Sequence, residues 1–228
     1  MTALMKQDIE PKSLIKSRER VTNHGEVFTS EREVNAMLDL VKQETLRIDS
    51  RFLEPACGDG NFLIEVLRRK LSIVKERYRK SQPEYERNAI TAISSLYGVD
   101  ILLDNAEACR ERLYYYFVTE YKSMFKQNIN DDCLKSVQYI LKRNILWGDA
   151  LTMKSVCGNH DPIIFSEWIS VNGTKIKRRD YSLAHLLAYQ PMDELNLFSD
   201  LGDQAFIPKP VKEYPLCHFL KVWEQENV

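Results

Sequence analysis

The feature that most constrains this chain is an abrupt change from a short strand to a long helix around a turn with two glycines. Residues 51–53 form the predicted strand, Glu54-Pro55 ends it, and apolar periodicity predicts a helix over 61–78. Between them, Gly58 and Gly60 tolerate positive φ and leave the backbone open to a ligand. Open α/β sheets bind their ligands at such turns, at the carboxyl ends of strands.

Further short apolar runs repeat this alternation of strand and helix. Strands are predicted at 96–101, 144–147 and 163–165, and another long helix at 104–125. This order indicates an α/β fold with a doubly wound, mostly parallel sheet. The apolar pattern fades after Val171, so the sheet is expected to be incomplete on its C-terminal side.

Three regions are expected along the chain. Residues 1–20 mix charges with few apolar side chains and predict an N-terminal arm, and residues 21–170 form the core. Residues 171–228 predict a loop-rich C-terminal extension, in which a turn and a short helix precede a tail rich in Pro, Asp and Gly over 191–215.

Composition narrows the class of protein. There are 32 Lys and Arg against 33 Asp and Glu, so nucleic-acid binding requires a local basic surface. No apolar run approaches the ~18–20 residues that cross a bilayer, and the N-terminus has no apolar signal core, so a cytoplasmic protein without a membrane partner is expected. The cysteines form no CxxC pair and favour reduced thiols; they are Cys57, Cys109, Cys133, Cys157 and Cys217.

The chemistry of the glycine turn favours a cationic ligand. The turn lacks the GxGxxG spacing of dinucleotide loops and the Lys-Ser/Thr of a P-loop. Glu54 and Asp59 would repel a pyrophosphate, but they suit an amino group and ribose hydroxyls. S-adenosylmethionine (SAM) carries an ammonium, a sulfonium and a ribose, and it therefore fits.

The string EPACGDGNF at 54–62 resembles the cofactor motif of class I SAM-dependent methyltransferases, in the form typical of N6-adenine DNA methyltransferases of restriction–modification systems. Three further segments resemble that family in the expected order, at 24–30, 98–101 and 148–150. The resemblance covers residues 20–155 and implies a Rossmann-like class I fold, with 21–170 as the SAM-binding methyltransferase core.

The resemblance also implies a set of cofactor contacts. Phe28 and Thr29 would line the methionine end, with Thr29-Ser30 where the family has Thr-Pro; Asp100 would bind the ribose hydroxyls, and Asp149 the adenine amino group. The full implied set is Phe28, Thr29, Glu54, Ala56, Gly58, Asp59, Gly60, Asn61, Phe62, Asp100, Ile101, Asp149 and Ala150. Each has a structural alternative: a plain turn for 54–60, a cap or solvated acid for Asp100 and Asp149, and core packing for Phe28.

The family's catalytic Asn/Asp/Ser-Pro-Pro-aromatic motif, which holds and stacks on a flipped base, is not found in this chain. At the predicted fourth strand, Ser166 and Trp168 are candidate catalytic substitutes, and the alternative is a strand end with a packing Trp. A basic cluster over 175–179 offers phosphate contacts or a solvated surface. The four histidines have no metal-ligand spacing, so no metal is expected.

Three functions remain open on this sequence. The first is SAM-dependent DNA adenine-N6 methylation in restriction–modification, with DNA and a partner subunit or specificity protein as partners. The second is a catalytically degenerate SAM-binding subunit that needs a partner chain for the catalytic pocket. The third is a methyltransferase for RNA, protein or a small molecule, with Glu167 as the acceptor group.

Overall fold

The computed structural model describes residues 16–126, 128–187 and 209–227. Within them the helices are α1 (Arg18–His24), α2 (Glu31–Leu40), α3 (Lys42–Thr45), α4 (Asn61–Tyr78), α5 (Gln82–Ser94), α6 (Leu103–Phe125), α7 (Asp131–Asn144) and α8 (Leu183–Leu187), followed by a 3₁₀ helix (Phe219–Asn227). The strands are β1 (Phe52–Glu54), β2 (Leu96–Asp100), β3 (Ile145–Asp149), β4 (Lys154–Ser155), β5 (Ile164–Asn172), β6 (Lys175–Ser182), β7 (Lys212–Glu213) and β8 (Cys217–His218).

The first sheet has four strands in the order β1-β2-β3-β4. β1, β2 and β3 are parallel, with Leu53 opposite Tyr97 and Asp100 opposite Trp147, and β4 is antiparallel to β3. The prediction of an α/β fold with a mostly parallel sheet is confirmed at this level. Because β1, β2 and β3 are parallel, the turns that follow them leave from one edge of the sheet.

Two helices, rather than one helix and a polar loop, connect β1 to β2. The polar run over 75–88 predicts a loop around the outside of the molecule, but α4 continues to Tyr78 and α5 begins at Gln82. Tyr85 is fully buried, with its ring stacked 5.9 Å from that of Tyr121. Glu86 is also buried and accepts a hydrogen bond from the Tyr121 hydroxyl. The charge of Glu86 made this stretch look like a solvated loop in the sequence, although it is a helix that faces the core.

The two faces of β2 belong to different apolar clusters. Leu96 lies in the main core with residues of α4, α5, α6 and α7. Tyr97 and Val99 lie in a second cluster with Ile163, Phe165 and Leu183. A doubly wound sheet would have crossover helices on both faces, whereas in the described residues the second face of β2 packs against β5 and the start of α8.

A second, antiparallel sheet has the order β5-β6-β7, with β8 also on β6. A strand is present where 163–165 predicts one, since β5 begins at Ile164, but its expected place in the parallel sheet is wrong, because β5 forms a hairpin with β6. No pattern in the sequence indicates β6, in which the alternating positions Ile176, Arg178 and Asp180 are buried, as is Tyr181. Two of the three alternating positions are charged, so the apolar alternation that marks a strand is missing.

The expected division at residue 170 falls inside β5. Ile176, Phe219 and Val222 from the predicted extension are buried in the main core. Most of the tail expected over 191–215 lies outside the described residues, and so do residues 1–15 of the predicted arm. In the described ranges, no helix has both the length and the apolar character needed to cross a membrane.

Candidate ligand-binding site at the carboxyl ends of the strands

The glycine turn after β1 adopts the backbone that its sequence predicts. Gly58 has φ 53° and Gly60 has φ 89°, and α4 begins directly afterwards at Asn61. A Cβ atom on Gly60 would lie 2.8 Å from the Sγ of Cys109, so this position excludes a side chain on steric as well as conformational grounds. The turn is fixed to β2 by the Cys57 amide, which donates to the Val99 carbonyl at 2.9 Å.

Asp100, at the end of β2, meets this turn directly. Its Oδ2 accepts the Gly58 amide at 2.8 Å, and its Oδ1 accepts the Leu102 amide at 2.9 Å and the Nδ2 of Asn105 at 3.2 Å. The side chain is buried. The acid predicted for the second strand therefore lies against the glycine turn. It also accepts the amide of Leu102, the residue before α6, and so closes the turn that leads into this helix.

Asp149, the last residue of β3, makes its hydrogen bonds within its own turn. The Asp149 Oδ1 accepts the amides of Leu151 at 2.9 Å and Thr152 at 3.4 Å. The Leu151 amide, first, and then the Thr152 hydroxyl and amide hold the pKa of Asp149 below its usual range. Ala150 packs on the second apolar cluster. Asp149 thus closes its own turn at the same edge of the sheet.

The other residues of the predicted cofactor set have mixed environments. Burial raises the pKa of Glu54, although the Ala56 amide donates to its carboxylate. Phe62 packs against the main core, so core packing accounts for that ring. Ala56 is exposed, as is Ile101 with 46% of its surface accessible.

Arg112 of α6 is a residue of this region that the sequence did not indicate. Its guanidinium donates to the Oδ1 of Asn61 at 2.6 Å and to the Oδ1 of Asp59 at 3.3 Å. Asp59 is therefore partly neutralised by a cation. The two acids that favoured a cationic ligand in the sequence are not equivalent, because Glu54 has no such partner among the contacts of the described residues.

The predicted N-terminal motif contacts the same turn. The ring of Phe28 lies over Gly58, where a Cβ atom would meet the ring at 2.9 Å. The Thr29 carbonyl accepts the Nδ2 of Asn61 at 3.1 Å. Beside Phe28 and Thr29 is an open groove of about 620 Å³, whose lining includes Val27 and Met37.

Ser166 and Trp168, the predicted catalytic substitutes, do not reach this edge. The hydroxyl of Ser166 is fully buried, donates to Asp180 at 2.7 Å and accepts the Nε of Arg178 at 3.1 Å. Trp168 is buried and donates to Asn144 at 3.1 Å. The expectation of an exposed acceptor with a stacking ring is wrong for this pair; the alternative, a packing Trp, is what β5 contains.

Glu167 and the basic cluster are engaged in ion pairs. Glu167 pairs with Arg51 at 2.5 Å. Lys177 and Arg179 both pair with Glu213, at 2.5 Å and 3.2 Å. Arg178 is 1% exposed and faces the interior, so the cluster over 175–179 is not one continuous phosphate-binding surface.

A larger groove of about 720 Å³ lies away from the strand ends, between α6, α7 and the 3₁₀ helix. Its lining mixes acids and cations, among them Glu107, Glu111, Arg110 and Lys135, with Trp223 at one side. This mixture favours neither an anionic nor a cationic ligand. In the described ranges, no three His, Cys, Asp or Glu side chains are grouped to hold a metal ion, and all five cysteines are free thiols.

The structure therefore brings Phe28, Gly58 and Asp100 into one connected site, places Asp149 at the same sheet edge, and separates Ser166 and Trp168 from it. Comparisons of this chain with protein-family models, curated proteins and solved structures found no match. A function for this chain is therefore inferred from the chemistry of the residues at this site.

Proposed function

We propose that this chain is a SAM-dependent methyltransferase domain of the Rossmann-like class I type, acting in DNA adenine-N6 methylation of a restriction–modification system. The observation that carries the proposal is the hydrogen bond from the Gly58 amide to the Asp100 carboxylate at 2.8 Å. It joins a glycine turn to a buried acid at the carboxyl ends of parallel strands, where α/β sheets hold their ligands.

The side chains present at this edge suit the cofactor. A carboxylate has about four lone-pair positions, and three N–H groups occupy Asp100, which leaves one position for a ribose hydroxyl. The backbone of Gly58 would face the cofactor once the ring of Phe28 moves aside, and Glu54 would face its ammonium. Asp149 would receive the adenine amino group after giving up part of its turn contacts. SAM itself would supply an activated methyl group.

Calorimetry with SAM tests the cofactor proposal. Asp100→Ala is expected to weaken binding by about 10- to 100-fold, because a hydroxyl would lose a charged acceptor. Asp161→Ala is the matched control, since Asp161 is an exposed acid in the turn before β5. Circular dichroism should verify that both variants are folded. No binding by the wild-type chain would refute the proposal, and equal binding by both variants would refute the role of Asp100.

A second candidate, a SAM-binding subunit that needs a partner chain for its catalytic pocket, is favoured by the burial of Ser166 and Trp168. Neither side chain reaches a base without the loss of its interior contacts. The described residues hence supply a cofactor edge without the polar acceptor and stacking ring that base methylation uses.

Transfer of labelled methyl groups from SAM to unmethylated DNA separates the two candidates. The assay is run with the chain alone and with the proteins encoded by neighbouring genes, and RNA and protein substrates serve as parallel arms. The burial of Ser166 and Trp168 leads us to expect DNA methylation only in the mixture. Methylation of DNA by the chain alone would refute the partner-dependent candidate, and methylation of RNA or protein instead would refute a DNA substrate.

A further inference from the structure

Residues 16–29 fold back over the edge of the sheet that holds the candidate site, with the Nζ of Lys16 5.7 Å from the centre of the Phe28 ring, and we call them the strap. At one end, the Nζ of Lys16 lies 3.2 Å from Asp104 and 2.5 Å from the Oδ1 of Asn105, both in the first turn of α6. At the other end, Phe28 covers Gly58 and the Thr29 carbonyl accepts Asn61. The strap therefore touches α6, the glycine turn and the start of α4.

Arg20 holds the middle of the strap in place. Its guanidinium donates to both carboxylate oxygens of Glu26, at 2.5 Å and 2.8 Å, and to those of Asp104 at 2.7 Å and 3.1 Å. Glu26 belongs to the strap and Asp104 to α6, so one side chain fixes the internal bend of the strap and its attachment. Bidentate guanidinium–carboxylate pairs are among the stronger hydrogen-bonded contacts in proteins.

Asn105 connects this attachment to the ligand-binding acid. It is 1% exposed. Its Nδ2 donates to Glu26 at 2.6 Å and to Asp100 at 3.2 Å, while its Oδ1 accepts Arg20 at 3.2 Å. One buried amide thus contacts both the strap and the carboxylate that fixes the glycine turn.

We propose that the strap is a closing element over Gly58 and Asp100, that Arg20 is its latch, and that Asn105 couples the latch to Asp100. A ligand that contacts Gly58 on the face covered by Phe28 displaces that ring, so the strap opens before such a ligand enters. The proposal rests on the proposed function only for the identity of that ligand.

Salt, rather than pH, is expected to control the latch. Hydrogen bonds from Arg20, first, and Lys16 lower the pKa of Asp104 to about 2, and hydrogen bonds to Asp104, first, and Glu26 raise the pKa of Arg20. Burial raises the pKa of Glu26, but hydrogen bonds from Arg20 and Asn105 outweigh it and keep that pKa low. All three groups stay charged near neutral pH, whereas raising salt from 0.1 M to 1 M shortens the screening length from about 10 Å to about 3 Å.

Hydrogen–deuterium exchange of the full chain tests the latch without any ligand. α1 has seven residues, too few for a stable isolated helix, so the protection of its amides depends on attachment to α6. Arg20→Gln is expected to speed exchange in a peptide covering residues 18–25 by about tenfold at low salt, and high salt should speed the wild type similarly. Arg18→Gln, an exposed position of the same helix, is the matched control.

A second pair of variants isolates the contact from general damage to the fold. Asp104→Asn should reproduce part of the effect, and its combination with Arg20→Gln should add less than the sum of the two. Exchange of α5 and α7 should be unchanged in every variant. The latch proposal would be overturned if Arg20→Gln exchanged at the wild-type rate, or if Arg18→Gln accelerated exchange as much as Arg20→Gln does.

SAM then serves as the ligand probe. If it binds, Arg20→Gln should raise its association rate at low salt several-fold and abolish the salt dependence of that rate; an unchanged rate would overturn the closing role. If SAM does not bind the wild type while the exchange differences persist, the cofactor proposal fails and the latch stands. The two failures are therefore distinguishable.

Discussion

Lys70 shows how far a single residue departs from the expectation for its type. Its ammonium lies in the core beneath β1 and donates to the carbonyls of Ile48 and Ser50 and to the Ser95 hydroxyl. The ring of Phe52 lies 5.1 Å from its Nζ. Burial lowers the pKa of Lys70 from 10.5 to about 7, against smaller opposing effects of Asp49 and Glu44. Three oxygen acceptors match the three N–H groups of the protonated form.

This displaced pKa predicts an unusual dependence of stability on pH. Between about 7 and 10.5 the unfolded chain holds a proton on Lys70 that the folded chain has released, so the free energy of unfolding rises with pH. The rise is expected to be about 2 kcal/mol between pH 7 and 9. Urea unfolding of the wild type and of Lys70→Met measures it, and only the wild type should show the rise.

Lys80→Met provides the matched control, because Lys80 is an exposed lysine in the turn after α4. Its unfolding free energy should follow the wild-type pH dependence. The same slope in Lys70→Met and in the wild type would show that the burial of Lys70 does not displace its titration.

At the scale of elements, the sequence predicts those whose apolar faces are regular. The strands around Phe52, Val99 and Leu146 and the helices α4 and α6 were all recognisable from their periodicity. β6 was not, because Arg178 and Asp180 occupy its inward positions. The sequence signal for β6 is a pair of opposite charges at positions i and i+2. This pair indicates an inward strand face only when the partners of Arg178, which are Ser166 and Tyr139, are known.

The candidate site divides in the same way. Gly58, Gly60 and Asp100 could be predicted because backbone conformation and strand ends leave local patterns. The strap could not, since Arg20 and Asp104 are 84 positions apart and each reads as an ordinary surface charge. Ser166 was a wrong candidate for a related reason: β5 pairs with β6 and not with the parallel sheet, and this places Ser166 opposite Asp180 in the interior.

At the scale of the whole molecule, the two sheets form a continuous interior. Trp168, Ile176 and Val222 from the second sheet and the 3₁₀ helix are in the same core cluster as the helices around β2. Arg178 lies at this junction. It pairs with Asp180 at 2.6 Å, donates to the Tyr139 hydroxyl at 2.6 Å, and has its guanidinium 4.0 Å from the centre of the Tyr214 ring.

This arrangement predicts that the chain unfolds as one unit and that Arg178 stabilises all of it. Arg178→Met leaves Asp180 buried without its main partner, so the free energy of unfolding should fall by about 3 to 5 kcal/mol. Lys177→Met, on the outward face of the same strand, should cost less than about 1 kcal/mol. Urea unfolding followed by tryptophan fluorescence and by circular dichroism measures both losses.

Comparing the fluorescence and dichroism transitions tests whether the two sheets unfold together. With Trp147 and Trp223 replaced by Phe, the fluorescence comes from Trp168 and reports on the second sheet. The helical dichroism reports on the helices around the first sheet, so coincident transitions mean one cooperative core. Arg178→Met should shift both midpoints together, and Arg178→Met combined with Asp180→Asn should recover part of the loss by neutralising the stranded acid. A fluorescence transition that moves alone would mean that the second sheet unfolds independently, and the continuous interior would then not act as a single cooperative unit.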